Sequence, residues 1–130
     1  MEYNSLSHEE EVIGKAIVNA AYNVHRELGP GLLEKIYEVC LAHELGKAGF
    51  SVRRQVEIPI VYDGIVFDEG LKLDLLVSDL VIIELKAVET MNPIWKAQLI
   101  SHLKLTKLRL GFLVNFNVSF IKQGINRFVM

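Results

Sequence analysis

Polar and apolar positions along the chain change period several times. Val12, Ile13, Ala16, Ile17, Ala20, Ala21, Val24 and Leu28 recur at helical spacing, and Ser7 followed by Glu10 fits a capping box. A first helix is predicted from about His8 to Glu27. Gly29, Pro30 and Gly31 break it, because proline cannot continue the hydrogen-bond ladder and glycine supplies turn conformations. A second helix is predicted to begin at once, with Leu33, Ile36, Tyr37, Cys40, Leu41 and Glu44 along one stripe and Gly46 and Gly49 marking its end. Glu34 and Glu38 lie one turn apart beside that stripe.

From Val52 the period becomes two. Val52, Arg54, Val56, Ile58 and Ile60 alternate with polar or mixed residues up to Asp63-Gly64, a strong hairpin signal. Pro59 cannot donate to a sheet ladder, so this strand belongs at an edge or carries a bulge at Pro59. Ile65 to Val77 returns as one long strand or two pieces, and Leu80 to Lys86 follows a short turn, completing a three-stranded meander. Asn92 and Pro93 read as N-cap and first residue of a helix to about Thr106, supported by Ile94, Ala97, Leu99, Ile100, Leu103 and Leu105. Leu110, Phe112, Val114 and Phe116 lie in a nearly continuous apolar run, the pattern of a strand buried on both faces, and Ile121 to Val129 adds a final short strand.

Within the meander, Leu73 to Lys86 (LDLLVSDLVIIELK) contains three ionisable misfits, Asp74, Glu84 and Lys86. A charge on a core strand is costly unless it is paired or bound to metal. Alternation puts Glu84 and Lys86 on one face of their strand. Asp74 faces Glu84 only if three residues, Ser78, Asp79 and Leu80, stay unpaired in the turn; a two-residue loop would pair Asp74 with Ile83 and separate the acids. Two opposed carboxylates need a cation between them. Carboxylates with a main-chain carbonyl, here that of Leu85, are the hard oxygen donors that Mg2+ or Mn2+ prefers, with water completing the shell. Lys86 would orient the attacking water and stabilise charge on a phosphate, which makes the stretch a candidate site for phosphodiester hydrolysis. The competing reading is a solvated hairpin face with a Glu84–Lys86 neighbour pair.

Asp74, nine residues, then Glu84-Leu85-Lys86 resembles the pattern of the PD-(D/E)XK nuclease superfamily. The predicted order of elements is similar to that superfamily's αβββαβ core, a restriction-endonuclease-like α/β fold whose central mixed sheet is flanked by helices, here with an extra N-terminal helix. Gly31, Glu34 and Tyr37 in GLLEKIY resemble the signature of the GxxExxY proteins. The resemblance implies that Glu34 is a helical acid reaching the metal, that Tyr37 supports it, and that Gln98 matches a glutamine carried by several nuclease branches. Where those branches place a tyrosine four residues on, this chain has His102, and Leu73 stands where the superfamily's name has proline. Without the resemblance, Glu34 reads simply as a first-turn acid favoured by the helix dipole.

The 130 residues are enough for one domain, and 51% hydrophobic with 23% charged residues excludes a disordered chain. No apolar run approaches the roughly 20 residues of a membrane span, and the acidic, polar start is unlike a signal peptide; a cytoplasmic location is expected. One cysteine, Cys40, excludes an internal disulfide and a Cys-based zinc cluster. The net charge of -2 conceals an asymmetry: all sixteen acids precede residue 90, leaving residues 1–89 at -8 and residues 90–130 at +6. Lys96, Lys104, Lys107 and Arg109, with Arg53 and Arg54, form a candidate phosphate track for DNA or RNA, set against a merely solvated surface. Trp95 beside Ile94 reads as core or interface before it reads as a base-stacking residue. The leading expectation is a metal-dependent nuclease. The alternative is a non-catalytic module on the same scaffold that binds nucleic acid or a protein partner, for instance as a homodimer.

Overall fold

The computed structural model describes residues 5–130. Helix α1 (His8–Leu28) is opened by the expected capping box: the Ser7 hydroxyl accepts from the Glu10 amide, and the Glu10 carboxylate accepts from the Ser7 amide. It closes at Gly29, whose φ of 67° lies in the left-handed region that favours glycine. Helix α2 (Glu34–Lys47) starts later than the proline break suggested, with Leu33 as an N-cap lacking a side-chain hydrogen bond. Its buried side is Tyr37, Glu38, Leu41 and Leu45. Leu33 and Ile36, expected on the inner stripe, are 77% and 44% exposed. The stripe is rotated because Glu38 turns inward to meet polar groups on the first strand, leaving Ile36 on the outside.

Strands β1 (Val52–Tyr62), β2 (Ile65–Val77), β3 (Val81–Lys86), β4 (Leu110–Asn115) and β5 (Ile125–Val129) form one mixed sheet in sequence order. β3 and β4 run parallel across helix α3 (Pro93–Thr106), and the other neighbouring pairs are antiparallel. β1 lies at the edge and also shifts register between Pro59 and Ile60, so both accommodations of the proline occur together. β2 is a single strand. The final stretch divides into a 3-10 turn at Ile121–Gln123 and then β5, rather than one strand from Ile121. The result is an α/β restriction-endonuclease-like arrangement: α2, three strands, α3 and β4 in the αβββαβ order, preceded by α1.

Two apolar layers sandwich the sheet. Ile13, Ile17, Tyr37 and Leu41 of α1 and α2 cover Leu75, Ile83, Leu85, Phe112 and Val114, while Leu99 and Leu103 of α3 cover Val56, Leu73, Leu76, Ile82 and Leu113. Each fully buried side chain of this kind contributes about 1.5–3 kcal/mol. Ile94 and Leu105, among the apolar residues that supported helix α3, are 53% and 52% exposed.

Strict alternation fails at one level of the β1–β2 pair, seen first in β2. Leu75 packs under α2 and Leu73 under α3, although residues two apart in a regular strand share a face. The strand therefore rolls over at Asp74. Its partner rolls with it at Gln55, which adopts a left-handed φ of 51° between Arg54, paired with Leu75, and Val56, paired with Leu73. Both strands change face at the same level, so the register on either side is preserved.

Candidate active site

The β2–β3 turn leaves Ser78, Asp79 and Leu80 unpaired, and Val77 faces Val81, the register that sets Asp74 against Glu84. The ladder stops at Leu75–Ile83, one pair short of the two acids. There the Leu85 amide donates to Asp74 Oδ2 at 2.8 Å, so a side chain replaces the missing ladder bond. A strand residue's N–H and C=O point to the same neighbour, so the Leu85 carbonyl also turns toward the β2 edge beyond the last ladder pair.

Glu84 is half-buried on the α3 side of the sheet, where His102 Nδ1 lies 3.4 Å from its Oε1. Its carboxyl is pushed above the ordinary range, first by burial and then by Asp74, through both charge and a shared hydrogen bond; His102 opposes the rise. Glu34, in the first turn of α2, is also raised by burial, then by the negative charge of Asp74, with Lys86 acting in the opposite sense and Glu38 adding to the rise. Glu34, Asp74, Glu84 and Lys86, drawn from three elements, thus share one electrostatic neighbourhood.

Lys86 follows Glu84 by two residues and points to the same side, where its ammonium rests 4.4 Å from the centre of the Trp95 ring. A cation–π contact of this kind is worth about 0.5–2 kcal/mol. Trp95, Gln98 and His102 are spaced at one helical face, so Gln98 sits between the residue that meets Lys86 and the one that meets Glu84.

Tyr37 is fully buried and organises the approach to α2. Its hydroxyl donates to the Gly29 carbonyl at 2.6 Å and accepts from the Leu32 amide at 3.1 Å, while its ring stacks 4.6 Å from Phe116. Gly31 lies inside the loop so bound, at a φ of 98° that suits glycine. The loop ends two residues before Glu34. At the far end of β3, the buried Asn115 braces the exit: its amide group bonds the Val88 N–H and C=O and the Asn117 N–H.

The donors suit a hard divalent cation: the Asp74 and Glu84 carboxyls face each other where the ladder stops, Glu84 disfavoured as an anion by burial, beside the Leu85 main chain. Among the described residues, no three His, Cys, Asp or Glu side chains converge to hold a metal. A cation here would therefore draw on the Leu85 carbonyl and on water as well as on side chains.

This geometry agrees with a match between residues 11–128 and the family model of the PD-(D/E)XK nuclease superfamily. The chain belongs to that superfamily. No curated protein and no solved structure in the same comparisons matches it. Membership in the PD-(D/E)XK superfamily supports nuclease-like chemistry on nucleic acid, and among the described residues no helix is long and apolar enough to cross a membrane.

The basic residues are dispersed. Arg109 donates to the Met130 and Ser5 carbonyls, tying the two ends of the described chain together, and Lys96 lies 5.6 Å over the Phe128 ring. Lys104 and Lys107 sit at the C-terminal end of α3. Arg53 pairs with Asp79 at the turn. The expected track along α3 and β4 is thus not one converging group. Sequence reasoning passed over three participants: Trp95 as the seat of Lys86, Glu38 as the buried partner of Arg54 and Gln55, and Gln55 itself, whose left-handed conformation no local pattern signals.

Proposed function

We propose that this protein is a metal-dependent nuclease that hydrolyses DNA or RNA phosphodiester bonds, a cytoplasmic single domain of the GxxExxY type. The observation that carries the reading is the Asp74 carboxylate accepting from the Leu85 amide, between Glu84 and Lys86, where the β2–β3 ladder stops, with Glu34 lining the same pocket as Asp74. Asp74, Glu84 and the Leu85 carbonyl would hold Mg2+ or Mn2+, with Glu34 reaching the ion through water, and the ion would supply Lewis-acid polarisation of the phosphate and a more acidic water. Lys86 places positive charge beside the phosphate and orients the attacking water, and the Trp95 ring fixes where that charge rests. Gln98 and His102 flank the site from α3, His102 by steadying Glu84. Tyr37 and Gly31 set the loop that delivers Glu34.

A cleavage assay on single- and double-stranded DNA and RNA with Mg2+ or Mn2+ tests this. Glu84→Ala and Lys86→Ala should each lower the rate by at least about a hundredfold while leaving the fold intact. Activity surviving both substitutions would remove these residues from the mechanism. A second reading, a non-catalytic module binding nucleic acid or protein, is favoured by Lys86 being seated on Trp95 and by one Asp74 oxygen being taken by Leu85. It requires no heat of manganese binding and no cleavage by the wild type.

A further inference from the structure

The roll of β1 and β2 at Gln55 and Asp74 opens a pocket of about 450 Å³ on the α2 side of the sheet, directly beside the proposed metal site. Glu34 and Asp74 form one wall. Three cations, each from a different element, line the rest: Lys35 of α2, Arg54 of β1 and Lys72 of β2. We propose that this pocket seats a backbone phosphate of the nucleic-acid strand, next to the one being cleaved, so that the substrate crosses the β1–β2 roll rather than the basic end of α3. This rests on the nuclease reading of the adjacent site.

The pocket's charge is arranged for an anion. Its third carboxylate, Glu38, is buried and already neutralised: Oε2 accepts from Arg54 Nε at 3.1 Å and Oε1 from the Gln55 amide at 2.6 Å. That contact uses one edge of the guanidinium and fixes its orientation, leaving the terminal nitrogens of a side chain that is 40% exposed. Lys35 and Lys72 are exposed, and neither enters an ion pair among the described residues. With Glu34 and Asp74 committed to a cation, the remaining charge on the pocket's lining is positive. Glu38 is then a positioning residue. It holds Arg54 in place and, through Gln55, holds the left-handed residue opposite Asp74.

The test is fluorescence anisotropy of labelled single- and double-stranded DNA and RNA oligonucleotides across a salt series, with Ca2+ supplied to occupy the carboxylates, beside a cleavage assay with Mg2+ or Mn2+. A Lys35→Ala/Lys72→Ala protein is compared with Lys104→Ala/Lys107→Ala, both pairs lying on the surface where substitution leaves the fold intact. The pocket pair should weaken binding about tenfold and flatten the log–log salt dependence by about 1.4 for a single strand or 1.8 for a duplex, the value of two lost phosphate contacts. The α3 pair should change neither. If the α3 pair alone carries the salt dependence while the wild type still cleaves, the pocket assignment is overturned and the nuclease reading stands. A wild type that neither binds nor cleaves overturns both.

Discussion

Tyr37→Phe removes one oxygen and little else. The ring is fully buried, and its stacking on Phe116, with centroids 4.6 Å apart and planes within 7°, needs no hydroxyl. The substitution therefore isolates the two hydrogen bonds that bind the loop before α2, to Gly29 and from Leu32. A typical intramolecular hydrogen bond contributes about 1 kcal/mol net, so the pair is worth about 2 kcal/mol, the part-buried Gly29 carbonyl and Leu32 amide setting the upper end. Unfolding entropy of about 2.1 cal/mol/K per residue gives about 0.27 kcal/mol/K for a chain of this size, so the melting temperature should fall by about 7 °C. Circular dichroism at 222 nm measures it. Because the loop ends two residues before Glu34, manganese titration of the folded variant should also show weaker binding than the wild type. A fall below about 2 °C would refute the claim that the hydroxyl holds this loop.

The raised carboxyls give a pH dependence with a defined sign. A carboxyl whose folded-state pKa lies above its unfolded value contributes stability that is fully present below the unfolded pKa and is lost as pH rises through the folded one. Burial, followed by repulsion from Asp74, raises both Glu34 and Glu84. The metal-free protein should therefore lose stability as pH rises from the ordinary carboxylate range through the raised values, and Glu84→Gln should flatten that decline. Added Mn2+ should raise the melting temperature by an increment that grows with pH; an increment independent of pH would show that these carboxyls do not bind it. Gly124→Ala should destabilise by at least about 1–3 kcal/mol, since its Cβ would stand 2.0 Å from the Asn115 carbonyl oxygen, a backbone atom that cannot step aside. Chemical denaturation measures the loss, and a neutral result would contradict the close packing of this turn against Asn115.

Much of the fold was legible because its signals are local. Ser7 with Glu10, Asn92 with Pro93, and Asp63 with Gly64 mark boundaries through bonds and dihedral preferences confined to a few residues, and the structure places caps or turns at all three. The register of the β2–β3 hairpin was also legible, because the requirement that Asp74 oppose Glu84 admits one turn length. The inner face of α2 was read less well, and the apolar positions of α3 did not tell which of them are covered. Ile36, Ile94 and Leu105 satisfy helical periodicity and yet are exposed, because which side of a helix is covered depends on what stands opposite it.

The sequence by itself determined the order of elements, the two registers open to the central acids and the presence of Lys86 two residues beyond Glu84. Periodicity and turn chemistry act over short distances along the chain, so they survive in one dimension. Only the tertiary structure decided that Glu34 approaches Asp74, that Lys86 rests on Trp95, that Glu38 turns inward to Arg54 and Gln55, and that β1 and β2 roll over together beside the site. Each of these joins residues from different elements, and the energy that selects them comes from burial and charge neutralisation, which exist only once those elements have packed.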